Sequence, residues 1–263
     1  MAELLEEQID ALFIITLHEY TKKNALTAAL IQALYSTLTR AISNPDIRFI
    51  LLKAEGTCFC AGADLQEMRD SLQYSAEENY TDAYRLAVLL QTIYTSPKPI
   101  VAQVQGSVYG GGIGLIAACD IVIAAQSAQF CLSEVKLGLV PAVISPYLLR
   151  AIGIHHARWL TISAESIDCQ RAQAIGLVHH CIVDRTLTAY TEAYMNRLYS
   201  SAPQAIAASK VLLDLVSTAH YDEALIQNTA QCIAQKRVSD EGQAGLTAFL
   251  SKNKPYWDKK SDV

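Results

Sequence analysis

Three consecutive glycines, Gly110-Gly111-Gly112, constrain this chain more than any other feature. They follow the apolar, β-branched run 100–105 and precede the apolar stretch 113–119. Glycine loses more backbone entropy on ordering than any other residue, and one suffices for a tight turn. Three in succession mark a point where something must approach the main chain closely. At a helix start the first amide N–H groups lack an intrahelical partner and face incoming negative charge. The expectation is a strand, a loop that binds an oxyanion or phosphate, and a short apolar helix.

Two other readings of this stretch fail. Residues 99–119 carry no charge and are long enough to span a bilayer. They also hold five glycines, two glutamines and a serine, and glycine costs about 1 kcal/mol against alanine inside a helix. Gly112-Ile-Gly114-Leu-Ile-Ala117 matches a dinucleotide fingerprint, with Glu134 twenty residues past Gly114. However, seven residues separate Gly112 from Asp120, too few for a βαβ crossover helix.

Composition narrows the class. The 263 residues allow one or two domains, and 51% hydrophobic against 18% charged residues excludes intrinsic disorder. A formal charge of -5 provides no basic field, which argues against nucleic acid as a primary partner. The seven scattered cysteines, without metal-ligand spacing, are expected to act as small buried hydrophobes in a reducing, cytoplasmic setting. The acidic start of the chain, to Asp10, has no base, unlike a signal peptide. No membrane association is expected.

Hydrophobic periodicity predicts strands over 12–17, 49–53, 100–105 and 121–125. Thr27 is the expected N-cap of a helix ending near Asn44-Pro45, and Ser75-Ala-Glu-Glu78 has capping-box form for a helix to about Tyr94. After Pro146 the pattern is helical except for an apolar run at 177–183; Asp168 caps a helix that stops at Gly176, and Pro203 starts another. This is an α/β chain with a mixed core to about residue 190 and a helical region beyond it.

A second small-residue loop, Cys60-Ala61-Gly62-Ala63-Asp64, precedes Leu65-Gln-Glu-Met68. Two such loops facing one point could clamp a carbonyl oxygen that becomes negative in a transition state. The segments Cys60-Ala61-Gly62-Ala63-Asp64-Leu65, Pro99-Ile-Val-Ala102, Gly106, Gly110-Gly-Gly112, Cys119-Asp120-Ile121 and Glu134-Val-Lys-Leu-Gly138 resemble, in order and spacing, the enoyl-CoA hydratase/isomerase (crotonase) superfamily. The resemblance extends from about Ile9 to Lys254-Pro-Tyr-Trp257, and the run from Cys131 to Tyr147 looks closest to methylglutaconyl-CoA hydratase-like members.

That resemblance implies a spiral of ββα units over 1–190, a helical trimerisation region over 191–263, and homotrimers or homohexamers. It also implies an acyl-CoA thioester substrate, with no cofactor besides the CoA it carries and no metal. The oxyanion N–H groups fall on Ala63 and Gly111. Substrate contacts are expected at Lys23, Ala25, Ala61, Asp64, Leu65, Tyr109 and Gly110. Glu134 matches one of the two carboxylates that divide the proton work in the standard hydratases; against the motif, it reads as a surface acid at a helix start. The other carboxylate position falls on Gly114, which has no side chain.

Three functions therefore follow: hydration of an enoyl-CoA, including branched or carboxylated ones such as 3-methylglutaconyl-CoA, with Glu134 alone; Δ3-Δ2 isomerisation through Glu134; or acyl-CoA binding without turnover. Replacements for the missing acid are few. Tyr109 reads as a packed aromatic, Asp120 as a loop-securing residue and Glu67 as a solvated helix position. His155-His156 and His179-His180 lie outside the matched segments, and Ser107 lacks a nucleophile-elbow pattern.

Overall fold

The computed structural model describes residues 4–258; residues 1–3 and 259–263, the outer ends of the expected core and C-terminal region, lie outside the described residues. The chain opens with β1 (Leu4–Ile9), β2 (Leu12–Leu17) and α1 (Ala28–Ser43). A second unit is β3 (Phe49–Ala54), β4 (Cys58–Cys60), α2 (Leu65–Asp70) and α3 (Ala76–Tyr94). A third is β5 (Ile100–Val104), β6 (Ser107–Tyr109) and α4 (Gly111–Ala118); a fourth is β7 (Ile121–Ala125), β8 (Gln129–Cys131) and α5 (Ser145–Ser163). Then come β9 (Ser166–Asp168), α6 (Cys169–Ala174), β10 (His180–Ile182), α7 (Leu187–Leu198), α8 (Pro203–Thr218), α9 (Glu223–Val238) and α10 (Asp240–Leu250).

From the second unit on, the first strand of each unit joins a six-stranded sheet of order β1-β2-β3-β5-β7-β10, and the second joins a four-stranded sheet of order β4-β6-β8-β9. Each turn of the spiral thus adds one parallel strand to both sheets. The strands β2, β3, β5 and β7 of the larger sheet are buried on both faces, as their β-branched runs require. Ile15, Leu17, Ile50, Leu52 and Ala102 pack under α1 and α3 through Leu34, Leu38, Leu89 and Leu90. Ile14, Phe49, Leu51, Val101 and Ile123 pack against Leu187, Met195 and Tyr199 of the α7 segment.

Local signals are satisfied where they stand. Thr27 Oγ1 accepts from Leu30 N–H at 3.0 Å, and Ser75 and Glu78 form the capping box. Asp168 accepts from Arg171 N–H at 2.7 Å, and Pro203 is the first residue of α8. The 177–183 run is a strand over His180–Ile182 alone, because Leu177 and Val178 bury their side chains in the core ahead of it. Four three-residue strands, β4, β6, β8 and β9, escape sequence patterning because three residues cannot show a period; β1 is an exposed edge strand with little alternation. All seven cysteines are free, and burial pushes the Cys60 thiol up to about 12. Among the described residues no helix is long and apolar enough to cross a membrane.

Candidate active site

Three short parallel strands deliver the site. β6 lies between β4 and β8, with Cys60 opposite Val108 and Tyr109 opposite Cys131. Neighbouring strands are about 4.8 Å apart, so the residues leaving their carboxyl ends emerge side by side. Those residues are 61–64 after β4, Gly110-Gly111 after β6 and 132–134 after β8. Ligands of parallel α/β sheets bind at this end of the strands. Segments seventy residues apart in the chain are thereby brought to one place.

Gly110 has φ 46° and ψ -114°, a conformation closed to side-chain-bearing residues, and its N–H donates to Cys131 O at 3.1 Å. That bond fastens the glycine loop to the end of β8. Gly111 is the first residue of α4, so its N–H belongs to the set left without an intrahelical partner. Ala63 stands opposite Leu26 in a parallel bridge in which Leu26 N–H donates to Gly62 O at 2.7 Å. In this register the Ala63 N–H faces away from Leu26. Leu26 joins the two loops: a methyl group added to Gly111 would lie 2.7 Å from Leu26 Cδ1. One added to Gly112 would lie 2.8 Å from Cys60 Cβ. The glycines are small here because the two loops press together.

Glu134 begins a single 3-10 turn, Glu134–Leu137, after Leu132 and Ser133 lead out of β8. Its Oε1 lies 3.1 Å from where a Gly110 Cβ would stand, so the carboxyl leans over the glycine loop. Its Oε2 is buried without a hydrogen-bond partner. Burial pushes the Glu134 carboxyl above the usual carboxylate range, as suits a group that moves a proton near neutral pH. The alternative of a solvated surface acid does not describe this side chain.

Gly114 lies on α4 one turn beyond Gly110, and the room beside it is filled. A methyl group there would stand 2.9 Å from Ile144 Cβ, closer still to its Cγ2, and 3.2 Å from Leu90 Cδ1. Both neighbours are buried, Ile144 at 3% exposure. Gly114→Ala is expected to lower stability by about 1–3 kcal/mol through overpacking. Urea unfolding measures it, and a second substitution that removes the crowding Cγ2, Ile144→Ala, should reduce the further cost of Gly114→Ala relative to its cost in the parent protein.

The expected substrate contacts cluster around the first loop. Lys23 is exposed, and its carbonyl accepts from Ala61 N–H at 3.0 Å; Ala25 is buried beside it, and Leu65 is 72% exposed. Asp64 is 7% exposed, and its carboxylate caps α2 by accepting from the Gln66 and Glu67 N–H groups. Its charge is directed into the protein. Tyr109 ends β6 at the surface, with its carbonyl over Gly62, so it is not the packed aromatic expected as the alternative. Ala63, Asp64 and Leu26 line a cleft of about 690 Å³ with Glu67, Tyr74 and Arg85. A larger groove, about 1400 Å³, runs between the end of α3 and helices α8 and α9 and is lined by none of these residues.

Glu67 corrects an expectation. It is half-buried rather than solvated, and both carboxylate oxygens accept from Ala28 N–H, the first residue of α1, at 2.9 and 3.0 Å. Asn24 went unnoticed in the sequence: fully buried, it donates from Nδ2 to the carbonyls of Glu55 and Cys58, each at 2.9 Å, and holds the 23–26 turn against β4. Asp120 secures structure, accepting from Ile100 N–H and Lys210 Nζ. His179 accepts from Val122 N–H, and His180 contacts Tyr190, while His155 and His156 lie on α5. None of these side chains belongs to the three strand ends. Among the described residues no three His, Cys, Asp or Glu side chains gather as metal ligands.

The family model described as enoyl-CoA hydratase/isomerase matches residues 7–260. A Legionella pneumophila homologue of the enoyl-CoA hydratase/isomerase (crotonase) group is 47% identical and superposes with TM-score 0.93, covering 98% of this chain and 99% of that one. The 2,3-dehydroadipyl-CoA hydratase of Escherichia coli is 30% identical over 97% of this chain and 98% of its own. The methylmalonyl-CoA decarboxylase of the same organism is 33% identical over 89% of each.

Proposed function

The chain belongs to the enoyl-CoA hydratase/isomerase family, and from that premise we propose that it adds water across the 2,3 double bond of an enoyl-CoA, with Glu134 as its single proton-transfer group. The observation that carries this reading is the half-buried Glu134 carboxyl, its Oε2 enclosed without a hydrogen-bond partner, leaning over the Gly110 loop one residue from the N–H at the start of α4. The thioester oxygen accepts from the N–H groups of Ala63 and Gly111. As negative charge moves onto that oxygen, both donors hold it without reorganising. Ionised Glu134 takes a proton from water as the oxygen bonds to C3, then gives it to C2.

The starting state of Glu134 fixes the pH dependence. Its carboxylate must be ionised in the free enzyme, and burial raises its pKa. The expected kcat/KM therefore rises with pH through a midpoint above the ordinary carboxylate range. A profile falling across that limb would require the protonated acid instead.

Of the charged residues lining the cleft beside Ala63 whose charge is not tied to backbone N–H groups, Asp70, Glu77 and Asp82 outnumber Arg85. This balance disfavours an acyl group ending in a carboxylate, so we favour an uncharged enoyl chain over 3-methylglutaconyl-CoA. A second reading, migration of a 3,4 double bond to the 2,3 position, is favoured by the filled space at Gly114, which leaves a single carboxylate for C2 and C4. Crotonyl-, 3-hexenoyl- and 3-methylglutaconyl-CoA separate these: hydration adds the mass of water, and migration creates the ultraviolet absorbance of a conjugated thioester. Hydration of crotonyl-CoA is the expected result. Binding of all three without turnover would leave an acyl-CoA-binding protein.

We also propose a cytoplasmic enzyme assembled as a trimer or hexamer. Residue 190 falls within α7, whose Leu187 and Met195 cover the sheet, so we place the boundary of the helical assembly region after α7. Val211, Leu213, Ile226, Phe249 and Leu250 leave apolar surface exposed on α8, α9 and α10, which supports association. Sedimentation equilibrium tests it.

A further inference from the structure

Residues three and four apart on a helix share a face. Gly111 and Gly114 therefore present one side of α4, and the groups that meet it are all hydrocarbon. Leu26 Cδ1 and Leu86 Cδ2 would lie 2.7 and 3.7 Å from a methyl group on Gly111, and Ile144 and Leu90 close over Gly114. Ile144 stands immediately before α5, so its position is set by that helix and not by α4. Glu134 approaches the same loop from the end of β8, over Gly110. Charge reaches the loop from one strand end, and apolar side chains meet the α4 face.

We propose that Ile144 is the specificity-determining residue of this site: it fills the volume that a side chain at position 114 would need and keeps from the α4 face any polar group that could hold a water molecule. The proposal rests on the reading that a thioester oxygen sits on the Ala63 and Gly111 amides. Proton removal from C2 needs Glu134 and those amides alone. Hydration needs a water held beside C3 as well. Ile144 therefore sets the ratio of hydration to C2 proton exchange, and sets it low. In exchange, the C2–H bond breaks as its proton passes to Glu134 and charge moves to the thioester oxygen; the carboxyl trades that proton for one from solvent, which it returns to C2, leaving the substrate unchanged except for the label.

Two rates read the proposal separately: hydration of crotonyl-CoA, and deuterium uptake at C2 of butyryl-CoA in heavy water, which cannot be hydrated. Gly114→Glu alone is expected to fold poorly, because Ile144 bars the new side chain. The pair Gly114→Glu with Ile144→Ala should raise the hydration-to-exchange ratio by about 10², the lower range for gaining an acid–base group. Ile144→Thr, which keeps Gly114 and adds a hydroxyl able to hold water, should raise the same ratio several-fold and serves if the pair does not fold. A ratio unchanged in folded variants that still exchange deuterium overturns the role of Ile144. No deuterium uptake by the unmodified protein, despite acyl-CoA binding, overturns the underlying site reading instead, and the proposal with it.

Discussion

Glu134→Gln is expected to lower turnover by at least about 10², the lower range for losing general acid–base help, while the folded state keeps or gains stability at neutral pH. The two effects diverge because the carboxyl is buried without a partner for Oε2. Burial holds its folded-state pKa above the unfolded value, so ionisation works against folding. The native protein loses that stability as pH rises from the unfolded pKa through the folded one, and the loss persists above it. Glutamine carries no charge and escapes the loss. Melting temperatures of the two proteins should therefore converge well below the carboxylate range, with the variant equal or higher at neutral pH. A variant that loses activity and melts much lower at neutral pH would mark Glu134 as a structural group.

Gly111→Pro carries the second large effect. Proline is tolerated at the first helical position, where its missing N–H has no helical partner to lose. What it removes here is the donor aimed out of α4 beside Glu134. Its ring and the methyl group of Gly111→Ala both meet Leu26 Cδ1, a flexible side-chain tip, so the alanine variant reports the steric part alone. The expected kcat of the proline variant is about 10² to 10³ below that of the alanine variant. Equal values would show that the Gly111 amide does not bind developing charge.

The sequence made legible what neighbouring residues decide. Thr27, Ser75 with Glu78, Asp168 and Pro203 act within one helical turn, and each performs in the structure the role its spacing predicts. The β-branched runs that became β2, β3, β5 and β7 were readable because strands buried on both faces must be apolar throughout. The glycine loop was readable because three glycines are costly to order.

What stayed hidden depends on partners distant in the chain. β4, β6 and β8 are three residues each, and their parallel pairing, not their composition, brings residues 63, 111 and 134 to one edge. Ile144 looked like any apolar residue before a helix, and no local pattern ties it to Gly114. Glu67 read as solvated because its partner, the Ala28 amide, belongs to a helix begun thirty-nine residues earlier. Asn24 gave no signal either, since the carbonyls it binds lie on the far side of α1 in the chain. The missing carboxylate at Gly114 was visible from the resemblance; why nothing could occupy its place was not.

The most direct measurement is a crystal structure of the Glu134→Gln protein with crotonyl-CoA, whose slowed turnover preserves the thioester. The account predicts the thioester oxygen about 2.7–3.1 Å from the amide nitrogens of both Ala63 and Gly111, with C2 beside the side chain of residue 134. A thioester seated elsewhere, such as the groove between α3 and α8, or an oxygen reached by neither amide, would contradict it.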